Sequence, residues 1–307
     1  MLMTILITCA WGAGQYAMAD ERNKAATAQV MAARFQPILY LPPVAADPHY
    51  PMSVEDTVLP VATVHAPDGK ALGRASECDP AALSARTSLR FDPRALPAGR
   101  PAAYYHYIEE IFRGRQYQII EWWFFYPLNH LEFRVLLPVR QYHDGDWESI
   151  AVVADEAGVA RYVIYCQHNG CFVRRLAGEA TEYHPEVWVG IGSHCSLPGP
   201  KRRYRAEPCE KERVAPRSGW RRLTGRYATF FDRTAAPPTA RVLLPADYAA
   251  LSADENPWLA QYPGHWGRIT TLATAWGRAT SGPSSPAGHA RYWTAPLSWA
   301  MKGLRVE

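Results

Sequence analysis

From residue 102 to residue 192 the chain is a succession of short segments rich in Val, Ile, Tyr, Phe and Trp, each closed by Gly, Pro, Asp or Asn. "AAYYHYIEEIF" (102–112), "YQIIEWWFFYP" (117–127), "WESIAVVAD" (147–155), "ARYVIYCQH" (160–168), "CFVRRL" (171–176) and "EVWVGIG" (186–192) all read as strands. β-Branched and aromatic side chains fit a pleated surface, and short, regularly spaced strands build sandwiches or barrels. "PILYLP", "DTVLPVATV", "RYATFF" and "ARVLLP" extend the pattern on both sides. The 26 prolines and 12% aromatic residues suit strands and turns better than long helices. The expected fold is all-β, an antiparallel β-sandwich with long ordered loops.

Two segments read as helix. Residues 20–34 are rich in helix formers and stop before Pro37, and "PADYAALSADENPWLAQY" (245–262) is the second. The tail from Gly282, with Tyr292, Trp293 and Trp299, is expected to pack as ordered coil over the core. No internal repeat or low-complexity linker divides the chain, so residues 35–307 are expected to form a single domain.

Residues 1–19 read as a signal peptide. A short apolar stretch from Leu2 to Trp11 precedes Ala17-Met18-Ala19, a small-x-small cleavage pattern, although no basic residue opens it. Export to the periplasm or exterior is the expectation, with the cytoplasm as the alternative. Nothing approaches the ~20 apolar residues of a membrane-spanning helix. Cys166 and Cys171 bracket "QHNG", a hairpin tip that would bring them towards disulfide distance, and Cys195 and Cys209 flank a basic loop they would staple. That loop, "PKRRYR", reads as solvated, and the net charge of +4 gives no nucleic-acid signature. The sequence leaves the oligomeric state open.

The densest chemistry lies in "QYHDGDWES" (141–149). On a strand, Trp147, Ser149, Ala151 and Val153 face one way and Glu148, Ile150, Val152 and Ala154 the other. Asp146 joins the face of Glu148, and Asp144 and His143 sit at the adjoining turn. Carboxylates so close need solvent, a proton or a cation between them. Ordinary turn chemistry, with Gly145 at positive φ, is the alternative.

"FQPILYLPP" (35–43), "YPLN" (126–129), "HDGDWES" (143–149), "YCQHNG" (165–170), "HPEVWVGIGSHCSLPG" (184–199) and "HWGRI" followed by "GPSSP" (265–286) together resemble the vacuolar protein sorting-associated protein 62 family, in the family's order. A more distant similarity runs to the necrosis- and ethylene-inducing proteins, through their His-Asp-Trp-Glu-containing heptapeptide. That second resemblance implies an actinoporin-like β-sandwich that binds a divalent cation and attaches to glycan headgroups of sphingolipids. Carried over by position, His143, Asp146 and Glu148 match the cation site. Asn129 stands where an aspartate is expected, a loss of charge that Asp144 would make good. His168 resembles a histidine near the site, and His194 matches the first family alone.

One imidazole with two or three oxygens suits Mg²⁺, Ca²⁺ or Mn²⁺ better than structural zinc. The leading expectation is a secreted, cation-dependent binder of a glycan or lipid headgroup, making peripheral membrane contact and resembling a toxin or virulence factor. In that case Asp144, His168 and His194 would touch the ligand. A metal-dependent hydrolase with Asp144 or His168 as general base is the second reading. A non-catalytic trafficking or interaction module is the third.

Overall fold

The computed structural model describes residues 22–134, 138–167, 170–178, 180–200, 234–235, 238–268, 271–274, 277–280 and 282–301. The expected signal peptide, "RYATFF", the "KRRYR" of the basic loop, Cys209 and His168 lie outside the described residues. A helix, α1, covers residues 22–35, as the composition of that segment predicts.

The centre is a six-stranded sheet in the order β13-β5-β6-β7-β8-β9. Its strands are β5 (Ala102–Phe112), β6 (Arg115–Arg134), β7 (Pro138–Asp155), β8 (Ala160–Gln167), β9 (Gly170–Arg175) and β13 (Ala249–Ser252). β5 to β9 form an antiparallel meander whose register follows the alternation of the sequence. Along β7, Trp147, Ala151 and Val153 enter one core while Ile150, Val152 and Ala154 enter the other. "EWWFFYP" is buried from end to end, as a central strand covered on both faces must be.

Each face carries a further sheet. A four-stranded sheet of β11 (Ser196–Leu197), β10 (Glu186–Val189), β1 (Ile38–Leu41) and β12 (Arg241–Leu243), in that order, covers one side. With α1 it buries Met31, Phe35, Leu39 and Trp188 against Ile120, Trp122 and Phe124. A second such sheet, β14 (His265–Trp266), β4 (Ser88–Arg90), β2 (Thr63–His65) and β3 (Ala71–Arg74), covers the other. There Leu89, Phe91 and Trp266 meet Phe125 and Trp147. The class is all-β and sandwich-like.

The expectation of purely antiparallel sheets is corrected. β1 pairs parallel with β10, β13 with β5 and β14 with β4. These pairs join segments distant in sequence, where no hairpin imposes the antiparallel direction. The second helical segment is also corrected. Residues 245–262 split into a 3-10 turn at Pro245–Asp247, strand β13, and a four-residue helix, Pro257–Ala260. Prolines at both ends punctuate the segment, and pairing with β5 overrides the helix propensity of "YAALSA". The tail packs over the core through Tyr292 and Trp293 as expected, but in two short helices, Ala290–Thr294 and Pro296–Met301. Cys166 and Cys171 do stand opposite each other across β8 and β9, yet as free thiols, like Cys78. Among the described residues no helix is long and apolar enough to cross a membrane.

Candidate functional site

The β6–β7 ladder loses one rung where Pro127 faces Gly145. Tyr126 lies opposite Asp146 and Leu128 opposite Asp144, and proline has no N–H to donate between them. Gly145 takes φ +69°, and a Cβ there would sit 3.3 Å from the Phe91 ring and from the Trp266 carbonyl. Backbone and space both require glycine. The alternation of faces shifts at this point. Asn129, three residues beyond Tyr126, donates from Nδ2 to Asp146 Oδ2 at 3.2 Å. Asp144 turns to the other side, 3.8 Å from Arg268.

His194 is the centre of the arrangement. It occupies a tight turn in which its own N–H donates to Gly190 O and the Gly190 N–H donates to Cys195 O, each at 3.0 Å. Its φ of +51° is a left-handed conformation that costs a non-glycine residue on the order of 1–3 kcal/mol. At Gly190 a Cβ would fall 2.6 Å from Ser193 Oγ, so the turn closes only over glycine. His130 N–H donates to Gly192 O at 2.8 Å and fastens the turn to the end of β6.

The His194 ring stacks on Tyr126 with centroids 4.1 Å apart. Its Nδ1 donates to Asp146 Oδ2 at 3.1 Å. Its Nε2 lies 3.1 Å from Asp47 Oδ2, a buried contact between opposite charges. Asp47 also accepts from Gly192 N–H at 2.8 Å and from His49 N–H at 3.1 Å. Arg241 holds this segment by donating to the Asp47 and His49 carbonyls.

Burial opposes the charge on His194, but hydrogen bonds and charges from Asp146 and Asp47 outweigh it and hold the pKa up at about 9. Asp47 is the converse. Burial works against its charge, and bonding to His194, that ring's charge and the two backbone N–H groups bring it down to about 2. Burial raises the Tyr126 phenol, and the charges of Glu148, Asp47 and Asp146 raise it further. Burial also lowers His49, whose ring meets His194 edge-on at 6.0 Å.

Asp47, Asp146 and Glu148 are each more than nine-tenths buried. Among the described residues Tyr126 Oη and Asn129 Oδ1, the latter on the side chain bonded to Asp146, are buried with no hydrogen-bond partner. Both bonds to Asp146 fall on Oδ2, leaving Oδ1 outside them. His143 stands opposite Asn129, and its Nδ1 lies 2.7 Å from Gly145 O. A carbonyl only accepts, so the neutral ring carries its proton on Nδ1 and its lone pair on Nε2. His130 and Tyr142 meet edge-to-face at 5.9 Å at the exposed rim.

The structure thus brings Asn129, Asp146 and His194 together, places Glu148 two residues further along β7 with its charge acting on Tyr126, sets His143 opposite Asn129, and turns Asp144 towards Arg268. Among the described residues no three His, Cys, Asp or Glu side chains stand grouped as a ready-made metal site. Sequence reasoning missed Asp47, His49 and Tyr126. Tyr126 was signalled by its place in "YPLN"; "DPH" at 47–49 reads as an ordinary turn, and no spacing links it to residue 194. Compared with protein-family models, with curated proteins and with solved structures, the chain finds no match.

Proposed function

We propose that the protein is an exported, divalent-cation-dependent binder of glycan or lipid headgroups, on a sandwich of the actinoporin-like kind with an added layer. The observation that supports the reading is Asn129 Oδ1, buried without a hydrogen-bond partner among the described residues, on the side chain whose Nδ2 donates to the buried Asp146 carboxylate. Two carboxylates and a neutral carbonyl form the oxygen donor set that Mg²⁺, Ca²⁺ and Mn²⁺ take. In this reading His194 and Asp47 are positioning residues. His194 fixes Asp146 by occupying one of its oxygens, as outer partners do for ligating carboxylates, and Asp47 holds the His194 ring from its other nitrogen. His143 Nε2, His49, His130 and Tyr142 form the side from which a headgroup approaches. A cation held by Asp146, Glu148 and Asn129 would supply positive charge for the phosphate or hydroxyl oxygens of that headgroup.

The test is co-sedimentation with liposomes of neutral, anionic or glycosylated lipid, in each metal or in EDTA, with product analysis of the lipid. Metal-dependent attachment without product, weakened at least about tenfold in Asp146→Asn and Glu148→Gln, is the expected result. Attachment indifferent to EDTA contradicts the reading and favours an interaction module. Metal-dependent product formation that is lost in Glu148→Gln favours the hydrolase.

A further inference from the structure

At the far end of the central sheet, roughly 40 Å along β6 from Asn129 at ~3.3 Å per residue, lies a groove of about 570 Å³. Its floor comes from the aligned ends of four neighbouring strands, β6 to β9. Tyr117 lies opposite Asp155, and Tyr162 opposite Arg175. Opposed residues of an antiparallel pair share a face, Arg115 is two residues from Tyr117, and across the register shift between β7 and β8 Tyr117 and Tyr162 still pack against the same core, so the five border one side of the sheet. The tyrosines supply ring surface at the middle of the groove, and the arginines mark its two flanks.

The three guanidinium groups lining the groove differ in state. Arg161 is neutralised by Asp155, donating to Oδ2 from Nε at 2.7 Å, with Nη2 at 2.6 Å. Arg115 and Arg175 are exposed and have no carboxylate partner among the described residues. They stand on strands three spacings apart, about 14 Å at ~4.8 Å per spacing. Extended along the groove, each can take a separate anionic group of one ligand. A planar fork binds carboxylate or sulfate through paired hydrogen bonds. The Glu156 carboxylate beside them accepts from hydroxyl groups, and half-buried tyrosine rings cover the apolar faces of a sugar.

We infer that this groove binds an anionic oligosaccharide, longer than one sugar ring, through Arg115 and Arg175 at its ends and Tyr117 and Tyr162 beneath it, without a cation. The site is separate from the one described above, and its test runs with EDTA present.

The experiment is calorimetric titration of the full chain with a heparin-derived tetrasaccharide, an oligogalacturonate trimer and maltotriose. Binding of at least one anionic probe and no binding of neutral maltotriose is expected; which anionic probe binds distinguishes sulfate ester from uronate. Arg115→Ala and Arg175→Ala should each weaken binding about tenfold and the double variant about a hundredfold. Asp146→Asn should bind as the parent does, which separates this result from that of the cation site. Absence of binding by both anionic probes overturns the inference. So does unchanged affinity in a double variant whose circular dichroism and melting temperature match the parent.

Discussion

His194 sits at the meeting point of three distant parts of the chain, and its charge exists because two carboxylates flank it. Asp47→Asn keeps the shape and removes one of those charges. In cation-free protein at pH 6 it should cost on the order of 3 kcal/mol by urea denaturation, since breaking a buried pair leaves the other ion inadequately compensated. A loss below about 1 kcal/mol would mean that Asp146 alone holds the ring. At this scale the sequence was only partly legible. Asp146 and Asn129 stood in recognisable motifs and do meet. Asp47 did not, because an aspartate before a proline in a loop is ordinary turn chemistry until tertiary folding brings it to a histidine on another loop.

β7 shows how one strand serves two cores and a site. Period-2 alternation in "WESIAVVAD" placed its faces correctly, because both faces are covered and a register slip would reverse every side chain. Asp144 escaped that logic. The missing rung at Pro127 and the positive φ of Gly145 shift the alternation there, which a regular period cannot anticipate. Residues 245–262 were misread for a related reason: propensity favoured helix, and the decisive partner, β5, lies more than a hundred residues away. Trp147 packs among Tyr104, Phe125 and Trp266, with ring centroids 5.0 to 5.9 Å away. Trp147→Ala should therefore cost about 3–5 kcal/mol. Tyr142→Ala, at the exposed rim of the same strand, should stay within about 0.5 kcal/mol of the parent while weakening headgroup attachment. Equal destabilisation by the two, measured by thermal melting, would contradict this division of β7.

Across the whole molecule these buried charges set a pH dependence for the cation-free form. His194 is raised from 6.5 to about 9. The stability it contributes is complete below pH 6.5 and is lost as the pH climbs to about 9, on the order of 3 kcal/mol at ~1.4 kcal/mol per unit. Glu121, buried beneath Trp123 and raised well above its ordinary value by burial, acts with the same sign: the folded state keeps a proton that the unfolded chain releases. Asp47 acts oppositely. Lowered from 3.8 to about 2, it contributes stability above 3.8 that is lost as the pH falls through about 2. Urea midpoints in EDTA should therefore be higher at pH 5.5 than at pH 8.5 to 9. A flat or rising profile across that interval would show that His194 is not a buried cation.

The most direct measurement is calorimetric titration of chelator-stripped protein with Mg²⁺, Ca²⁺ and Mn²⁺, beside Asp146→Asn and Glu148→Gln. Saturable binding of at least one cation, abolished by both substitutions and weakened by Asn129→Ala, is the predicted result. A folded protein that binds none of the three, or binds equally well in both carboxylate variants, would contradict the cation site and leave the Asp47–His194–Asp146 cluster as a structural pin between loop and sheet.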